Sequence, residues 1–171
     1  MSVTPLHAAP PGPSNDPVRR KKFLVVIDDS PECASAIHYA SRRALHTGGH
    51  VSLLYVIEPP GFMHWISVQK VMQEEAQAQA EAVLYEAAAQ VNRIAGLLPE
   101  FVIREGKRRD ELLALLKDDP DIRILVLAAG TGKSGPGPLV SSLAGQLSGS
   151  LPIPITVVPG NLTTAQLDEL A

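Results

Sequence analysis

Two segments of the chain could bind a small ligand, and each directly follows an apolar run. The acidic pair Asp28 and Asp29 comes after the run 23–27, and a stretch rich in glycine and proline, from Gly130 to Pro138, comes after the run 122–129. A carboxylate can accept a hydrogen bond from a ribose hydroxyl or a base N–H. A glycine loop that opens onto a helix offers backbone N–H groups to phosphate. The alternative interpretation is structural: Asp28 caps a helix, and the loop only turns a corner.

The elements that would position these segments alternate between strand and helix. Apolar runs bounded by turn residues are typical of strands covered on both faces. Stretches whose small or apolar residues recur every three or four positions are typical of amphipathic helices. This alternation indicates an α/β domain whose helices connect parallel strands by right-handed crossovers. The expected strands are 23–27, 51–57, 101–103, 122–129 and 154–158, and the expected helices are 31–47, 65–95, 110–117 and 139–148.

The predicted fold would bring the two polar segments together. In doubly wound sheets, ligands bind beyond the carboxyl ends of the strands, where the strand order reverses. If the first and fourth strands are neighbours at that reversal, Asp28 and the glycine-rich loop face one crevice. Lys133 would add a positive charge to the loop, and the hydroxyls of Ser141 and Ser142 would follow on the next short helix.

The sequence from Lys22 to Val158 resembles the universal stress protein family. The resemblance rests on the segments FLVVIDDSPECASAIHYA, VSLLYVIEPP, REGKRRDELL and ILVLAAGTGKSGPGPLVSSLAGQLSGSLPIPITVVP. The last segment is similar to the family's pattern of strand, glycine loop, short helix and Pro-x-Pro before a final strand. The resemblance implies a single-domain, doubly wound, five-stranded parallel sheet of order 3-2-1-4-5, with helices on both faces. It also implies a sensor or regulator, not an enzyme, that binds ATP or AMP between strands one and four.

The resemblance assigns roles to individual residues. Asp28 stands at the family's acidic residue after strand one and would hold ribose or adenine. Val56 stands at the apolar residue that packs on adenine. The residues expected to receive the phosphates are Ala129, Gly130, Gly132, Lys133, Ser141 and Ser142.

The phosphate half departs from the family's pattern, which is Gly-x-x-Gly, nine residues, then Gly followed by Ser or Thr. Ala129 occupies the first glycine position, Ser141 occupies the third, and only eight residues separate Gly132 from Ser141. A Cβ at Ser141 would crowd a phosphate that lies close to the backbone, and Pro136 and Pro138 remove two N–H donors. A second hypothesis therefore stays open: a homodimer of the same type that binds no nucleotide and acts through protein interactions.

Composition restricts the class of protein. The 171 residues are 45% hydrophobic and 19% charged, with a net charge of −3, which is typical of one globular domain and disfavours general nucleic-acid binding. The apolar runs are too short to span a bilayer, and the N-terminal sequence lacks the order of a signal peptide. We therefore expect a cytoplasmic protein without nucleic-acid or membrane partners. Residues 1–21 are expected to form a flexible, proline-rich and basic arm, 22–159 the domain, and 160–171 a polar tail with room for one helical turn.

The last predicted strand, from Ile153 to Val158, would form an edge of the sheet. An apolar edge strand favours pairing with a second copy of the chain. The family resemblance implies a homodimer joined by antiparallel pairing of these strands.

The first predicted helix carries the remaining candidates for chemistry. Ser30 is expected to be its N-cap, with Pro31 at the first helical position. Cys33 lies on the apolar stripe and is expected to be a small buried hydrophobe, with a reactive thiol as the less favoured alternative. His38 is expected on the helix surface, and no His, Asp or Glu cluster has the spacing of a metal site.

Overall fold

A single sheet of five parallel strands forms the centre of the protein. The computed structural model describes residues 21–59, 66–146 and 149–171, so all of the predicted N-terminal arm except Lys21 lies outside the described residues. The strands occur in the order β3-β2-β1-β4-β5, which confirms the predicted α/β class and strand order. They are β1 (Lys22–Val26), β2 (His50–Ile57), β3 (Glu100–Glu105), β4 (Ile122–Ala129) and β5 (Ile155–Pro159).

Helices cover both faces of the sheet, because successive side chains of a strand point to opposite faces. The helices are α1 (Cys33–Thr47), α2 (Ile66–Ala95), α3 (Arg108–Asp118), α4 (Pro138–Val140), which a π-helical segment (Ser141–Gln146) continues, and α5 (Thr164–Leu170). Phe23 and Val25 of β1 pack in a core cluster with α1, α2 and α5. Leu24 and Val26 pack in a second cluster with α3 and α4.

The start of α1 differs from the prediction. Ser30 does not cap the helix with its side chain, because its hydroxyl donates a hydrogen bond of 2.5 Å to Asp28 Oδ1. The backbone N–H of Ser30 donates to the same oxygen at 3.0 Å. The Ser30 carbonyl accepts from the backbone N–H of Cys33 at 3.2 Å, and regular helix begins only at Cys33. The Asp28 carboxylate therefore accepts a hydrogen bond from the Ser30 hydroxyl, which was expected to cap α1.

The polar tail forms a longer helix than the single turn expected from the sequence. Helix α5 has seven residues and begins with a reciprocal cap, in which the Thr163 hydroxyl accepts from the Gln166 backbone N–H and the Gln166 side chain accepts from the Thr163 backbone N–H. Leu167 is buried in the core cluster beside α1. The Thr-x-x-Gln spacing was the sequence signal for this helix start, and burial of Leu167 holds the helix in place.

The strand order places the ends of β1 and β4 side by side. Val25 of β1 is aligned with Val126 of β4, so Asp28 and Ala129 each follow three residues later at the same edge of the sheet. This is the reversal point of the strand order. Among the described residues, no helix is long and apolar enough to cross a membrane.

Candidate functional site

Asp28 stands immediately beyond the end of β1, with about a third of its side chain exposed. Its Oδ1 atom accepts hydrogen bonds from the backbone and side chain of Ser30. Its Oδ2 atom lies 3.9 Å from Nη1 of Arg108, which is beyond hydrogen-bond distance. One carboxylate oxygen therefore fixes the turn, and the other keeps lone pairs available for a ligand.

A cavity of about 130 Å³ lies between the ends of β1 and β4. Its walls include the acidic side chains of Asp28 and Glu32, the guanidinium of Arg108, apolar Leu127, and the segment 136–140. We call this cavity the β1–β4 crevice. Asp28 and the loop after β4, which the sequence predicts to share one site, both line this cavity.

Arg108 contributes the positive charge of the crevice, and sequence reasoning missed it. It is the first residue of α3, and its backbone N–H donates to Glu58 Oε1 at 3.2 Å. Its side-chain Nε is buried and has no hydrogen-bond partner among the described residues. The sequence did contain a signal for this role. A cation in the first turn of a helix is unfavourable beside the positive end of the helix dipole, so an arginine at this position indicates a role other than stabilising the helix. Only the fold shows that this arginine reaches across to Asp28.

Several backbone N–H groups in and directly after the loop that follows β4 donate hydrogen bonds to carbonyl groups of the same loop. Gly130 donates to the Pro136 carbonyl at 3.3 Å, Gly135 donates to Gly132 at 3.1 Å, and Ser141 donates to Gly137 at 3.0 Å. A Cβ at Gly130 would lie 2.8 Å from the Gly135 carbonyl oxygen, which is closer than side chains tolerate. Close approach of the loop to itself therefore explains why glycine stands at position 130.

The other predicted phosphate-binding residues do not line the crevice. Gly132 and Lys133 are exposed in the loop, and Ser141 is exposed at the start of the π-helical segment. Ala129 is buried at the end of β4, and the hydroxyl oxygen of Ser142 is buried without a partner among the described residues.

Val56, the residue expected beside adenine, is buried in the core on the same face of the sheet as the crevice. Only 3% of its surface is exposed. It belongs to the same apolar cluster as Val26 and Leu127, both of which line the crevice. Val56 therefore lies in the apolar layer that backs the crevice and is not among the residues that line it.

The surroundings of Cys33 and His38 indicate a structural role for both side chains. Burial raises the pKa of the Cys33 thiol to about 11, and the negative charges of Asp28, Glu32 and Asp29 act in the same direction. Cys33 is 5% exposed, as expected for a buried small hydrophobe. His38, which was expected on the helix surface, is only 14% exposed because it pairs with Asp168 of α5. In the described part of the chain, no group of three or more His, Cys, Asp or Glu side chains could hold a metal ion.

Comparison with known proteins supports the fold and identifies the family. A model of the universal stress protein family matches residues 19–159. The universal stress protein UspA from Lactobacillus plantarum is 20% identical, with a TM-score of 0.66 over 82% of this chain and 98% of that chain. A universal stress protein solved in complex with cAMP is 16% identical, with a TM-score of 0.59 over 82% of this chain and 98% of that chain.

A third similar structure is the universal stress protein from Archaeoglobus fulgidus in complex with dAMP. It is 18% identical, with a TM-score of 0.54 over 81% of this chain and 97% of that chain. At these identities the structural similarity establishes the fold. No curated protein matches the chain by sequence.

Proposed function

This chain belongs to the universal stress protein family, and we propose that it binds an adenine nucleotide at the β1–β4 crevice and acts as a sensor or regulator without turnover. The observation that carries the proposal is the convergence of Asp28, Arg108 and the loop after β4 on one cavity at the reversal point of the sheet. Two structural neighbours were solved with cAMP and dAMP, which supports the choice of an adenine ligand.

The residues present fit the nucleoside part of the ligand best. The Oδ2 atom of Asp28 can accept a hydrogen bond from a ribose hydroxyl or from the adenine amino group. Leu127 supplies an apolar wall for a base, and Val56 lies in the layer behind that wall. The buried and unpartnered Nε of Arg108 would gain an acceptor, which is favourable because an unsatisfied buried donor costs about 1–3 kcal/mol.

Binding of a whole nucleotide requires the loop 130–137 to move. The crevice holds about 130 Å³, whereas pockets for ligands of nucleotide size usually enclose roughly 300–1,000 Å³. The exposed residues Gly132, Lys133 and Ser141 would then receive phosphate, together with Gly130 and Ser142, whose polar groups the loop movement would uncover. This movement breaks the loop's internal hydrogen bonds. We therefore propose AMP as the preferred ligand and ATP as a weaker one.

The test is calorimetric titration of AMP and ATP into the wild-type protein and two variants. Asp28→Asn removes the charge but keeps an oxygen that can accept from Ser30, so the turn is preserved. Asp29→Asn changes the adjacent exposed carboxylate, which does not line the crevice, and serves as the matched control.

We expect saturable binding of AMP, weaker binding of ATP, and a loss of at least tenfold in AMP affinity in Asp28→Asn. The tenfold loss corresponds to about 1.4 kcal/mol, at the low end of a hydrogen bond to a charged group. Asp29→Asn should bind as the wild type does. Absence of saturable binding by either nucleotide would refute the proposal, and so would an equal loss in the two variants.

The second candidate function is a homodimer that binds no nucleotide and acts through protein interactions. It is favoured by the internally bonded N–H groups of the loop and by the edge position of β5, where 37% of the Val157 surface is exposed. An edge strand presents unpaired backbone groups to a second copy. Mass spectrometry of the native protein separates the candidates: a dimer without any added mass favours this one, and a nucleotide mass retained through purification favours the first.

A further inference from the structure

A larger cavity lies on the opposite face of the sheet from α3 and α4, between α1, the C-terminal part of α2, and α5. It encloses about 560 Å³, within the range of roughly 300–1,000 Å³ usual for small-molecule sites. We call it the α1–α2–α5 cleft. None of its lining residues lines the β1–β4 crevice, so the two cavities can be tested independently.

The polar wall of the cleft carries more positive than negative charge. Among the described residues that line the cleft, the cations are Arg42 of α1 and Arg93 of α2, and the only carboxylate is Asp168 of α5. Even with His38 neutral, two positive charges face one negative charge. Arg93 is exposed and forms no ion pair within the described residues, so its charge is available to a ligand.

Asp168 is already engaged by the protein. Nε2 of His38 donates to Asp168 Oδ1 at 2.8 Å, and Nε of Arg42 lies 3.2 Å from the same oxygen. The hydrogen bond from His38 holds the pKa of Asp168 below its usual value. Desolvation opposes this effect, and the charges of His38, Arg42 and His46 assist it. Asp168 is therefore ionised at neutral pH and orients the two basic side chains of α1.

Arg42 retains an unsatisfied donor beside the cleft. Its Nε atom is buried from water, yet its N–H is not aligned for a hydrogen bond with Asp168 or with any other described acceptor. A buried donor without an acceptor is costly, and an anionic acceptor forms the strongest bond to a guanidinium. An anionic oxygen of a ligand would therefore be a favourable additional acceptor for the Arg42 guanidinium.

The remaining wall is apolar and fixed in position. Ile94 of α2 and Leu162 and Leu167 near or on α5 contribute apolar surface. Leu167 is 3% exposed and belongs to the main core cluster, and the reciprocal cap at Thr163 holds the start of α5. An apolar body with one anionic group would match this combination of surfaces.

We propose that the α1–α2–α5 cleft binds a small organic anion, in which a carboxylate or phosphate contacts Arg42 and Arg93 and an apolar body packs against Ile94 and Leu162. This is a second ligand site, separate from the nucleotide-binding function proposed above. Both arginines can bind the anionic oxygens of either a carboxylate or a phosphate, so the experiment includes both head groups.

The test uses benzoate, phenyl phosphate and the neutral analogue benzyl alcohol as probes, followed by NMR of the backbone amides in α1, α2 and α5. We expect saturable shifts in the cleft with at least one anion and none with benzyl alcohol. Arg42→Gln and Arg93→Gln should each weaken anion binding at least tenfold. Arg123→Gln, which removes an exposed cation of β4 that is not among the residues lining the cleft, should leave anion binding unchanged.

Arg93→Gln keeps the test decisive if Arg42→Gln loosens α5, because Arg93 has no ion pair to lose. The proposal is overturned if neither anion gives saturable shifts up to about 10 mM. It is also overturned if Arg93→Gln binds both anions as tightly as the wild type, or if benzyl alcohol binds as tightly as the anions.

Discussion

Replacing Gly130 with alanine should destabilise the protein, and replacing Gly132 should not. Both glycines lie in the loop after β4, two positions apart. A Cβ at Gly130 would meet the carbonyl oxygen of Gly135 at 2.8 Å and Oε1 of Glu32 at 3.0 Å. The Glu32 side chain can swing aside, but the Gly135 backbone is tied into the loop by its hydrogen bond to Gly132. At Gly132, no heavy atom lies within 4 Å of the added Cβ.

The expected cost of Gly130→Ala follows from this clash. An added methyl group in a fully packed place costs about 1–3 kcal/mol, and for a chain of this length that lowers Tm by roughly 2–12 °C. Gly132→Ala should leave Tm within about 2 °C of the wild type, because the methyl group enters open space and slightly restricts the unfolded chain. Thermal unfolding followed by circular dichroism, without nucleotide, measures both changes.

The same pair of variants separates two reasons for a glycine in this loop. If glycine is needed at position 132 so that phosphate can approach the backbone, Gly132→Ala should keep its stability and lose affinity for AMP. If Gly130 is needed for packing, its replacement should lower Tm even in the absence of ligand. Equal Tm values for Gly130→Ala and the wild type would refute the packing argument.

Three further changes have outcomes that follow from local contacts. Asp119→Asn should lower the free energy of unfolding in urea by about 1 kcal/mol at pH 7, because Asp119 Oδ2 accepts from Lys22 Nζ at 2.7 Å. Burial of Asp119 raises its pKa, but the hydrogen bond from Lys22, the hydrogen bond from the Asp121 backbone and the charge of Lys22 together outweigh burial, and the net pKa is lowered. The carboxylate therefore stabilises the fold above its unfolded pKa of about 3.9. The difference in free energy of unfolding between variant and wild type should vanish as pH falls through the lower pKa of the folded state. A constant difference down to pH 2 would contradict this. The buried thiol of Cys33 has a pKa of about 11. It should react with iodoacetamide at pH 8 at least tenfold more slowly than free cysteine, as measured by mass spectrometry. Rapid alkylation of the folded protein would show that the thiol is accessible. Val157→Lys, which adds a charge to the exposed face of the β5 edge, should shift a homodimer towards monomer in light scattering, and an unchanged dimer would place the interface elsewhere.

The sheet was predictable because each strand is a short apolar run with a clear turn signal at its end. The run 122–129 is β4 to the residue, and the run 23–27 is displaced from β1 by one position. The order of the strands came from the family resemblance, since alternation of strand and helix alone does not specify which strands are neighbours. The start of α1 could not be predicted because Asp28 and Ser30 each offer a polar side chain to the same turn, and only their geometry decides which group accepts.

The site was predicted in part. Asp28 and the loop after β4 were placed together correctly, because carboxyl ends of neighbouring parallel strands share one edge of the sheet. Arg108 was missed because its contribution depends on how α3 packs against β2 and β3, which brings it to the same crevice as Asp28. Lys133 was the cation expected in the loop, but it is exposed and does not line the crevice.

The charges around the crevice support a preference for a single phosphate. Asp28 and Glu32 both line the cavity, whereas Arg108 is the only lining cation, so the described walls carry one more negative than positive charge. Negative charges on the walls of a partly desolvated site repel a phosphate group, and each phosphate beyond the first adds to that repulsion. A longer phosphate chain also has to displace more of the loop, whose prolines at positions 136 and 138 supply no N–H donors in return. The negative charge of the walls and the shortage of free donors in the loop therefore both disfavour ATP. The loop completes its own hydrogen bonds and leaves few groups to neutralise a polyphosphate.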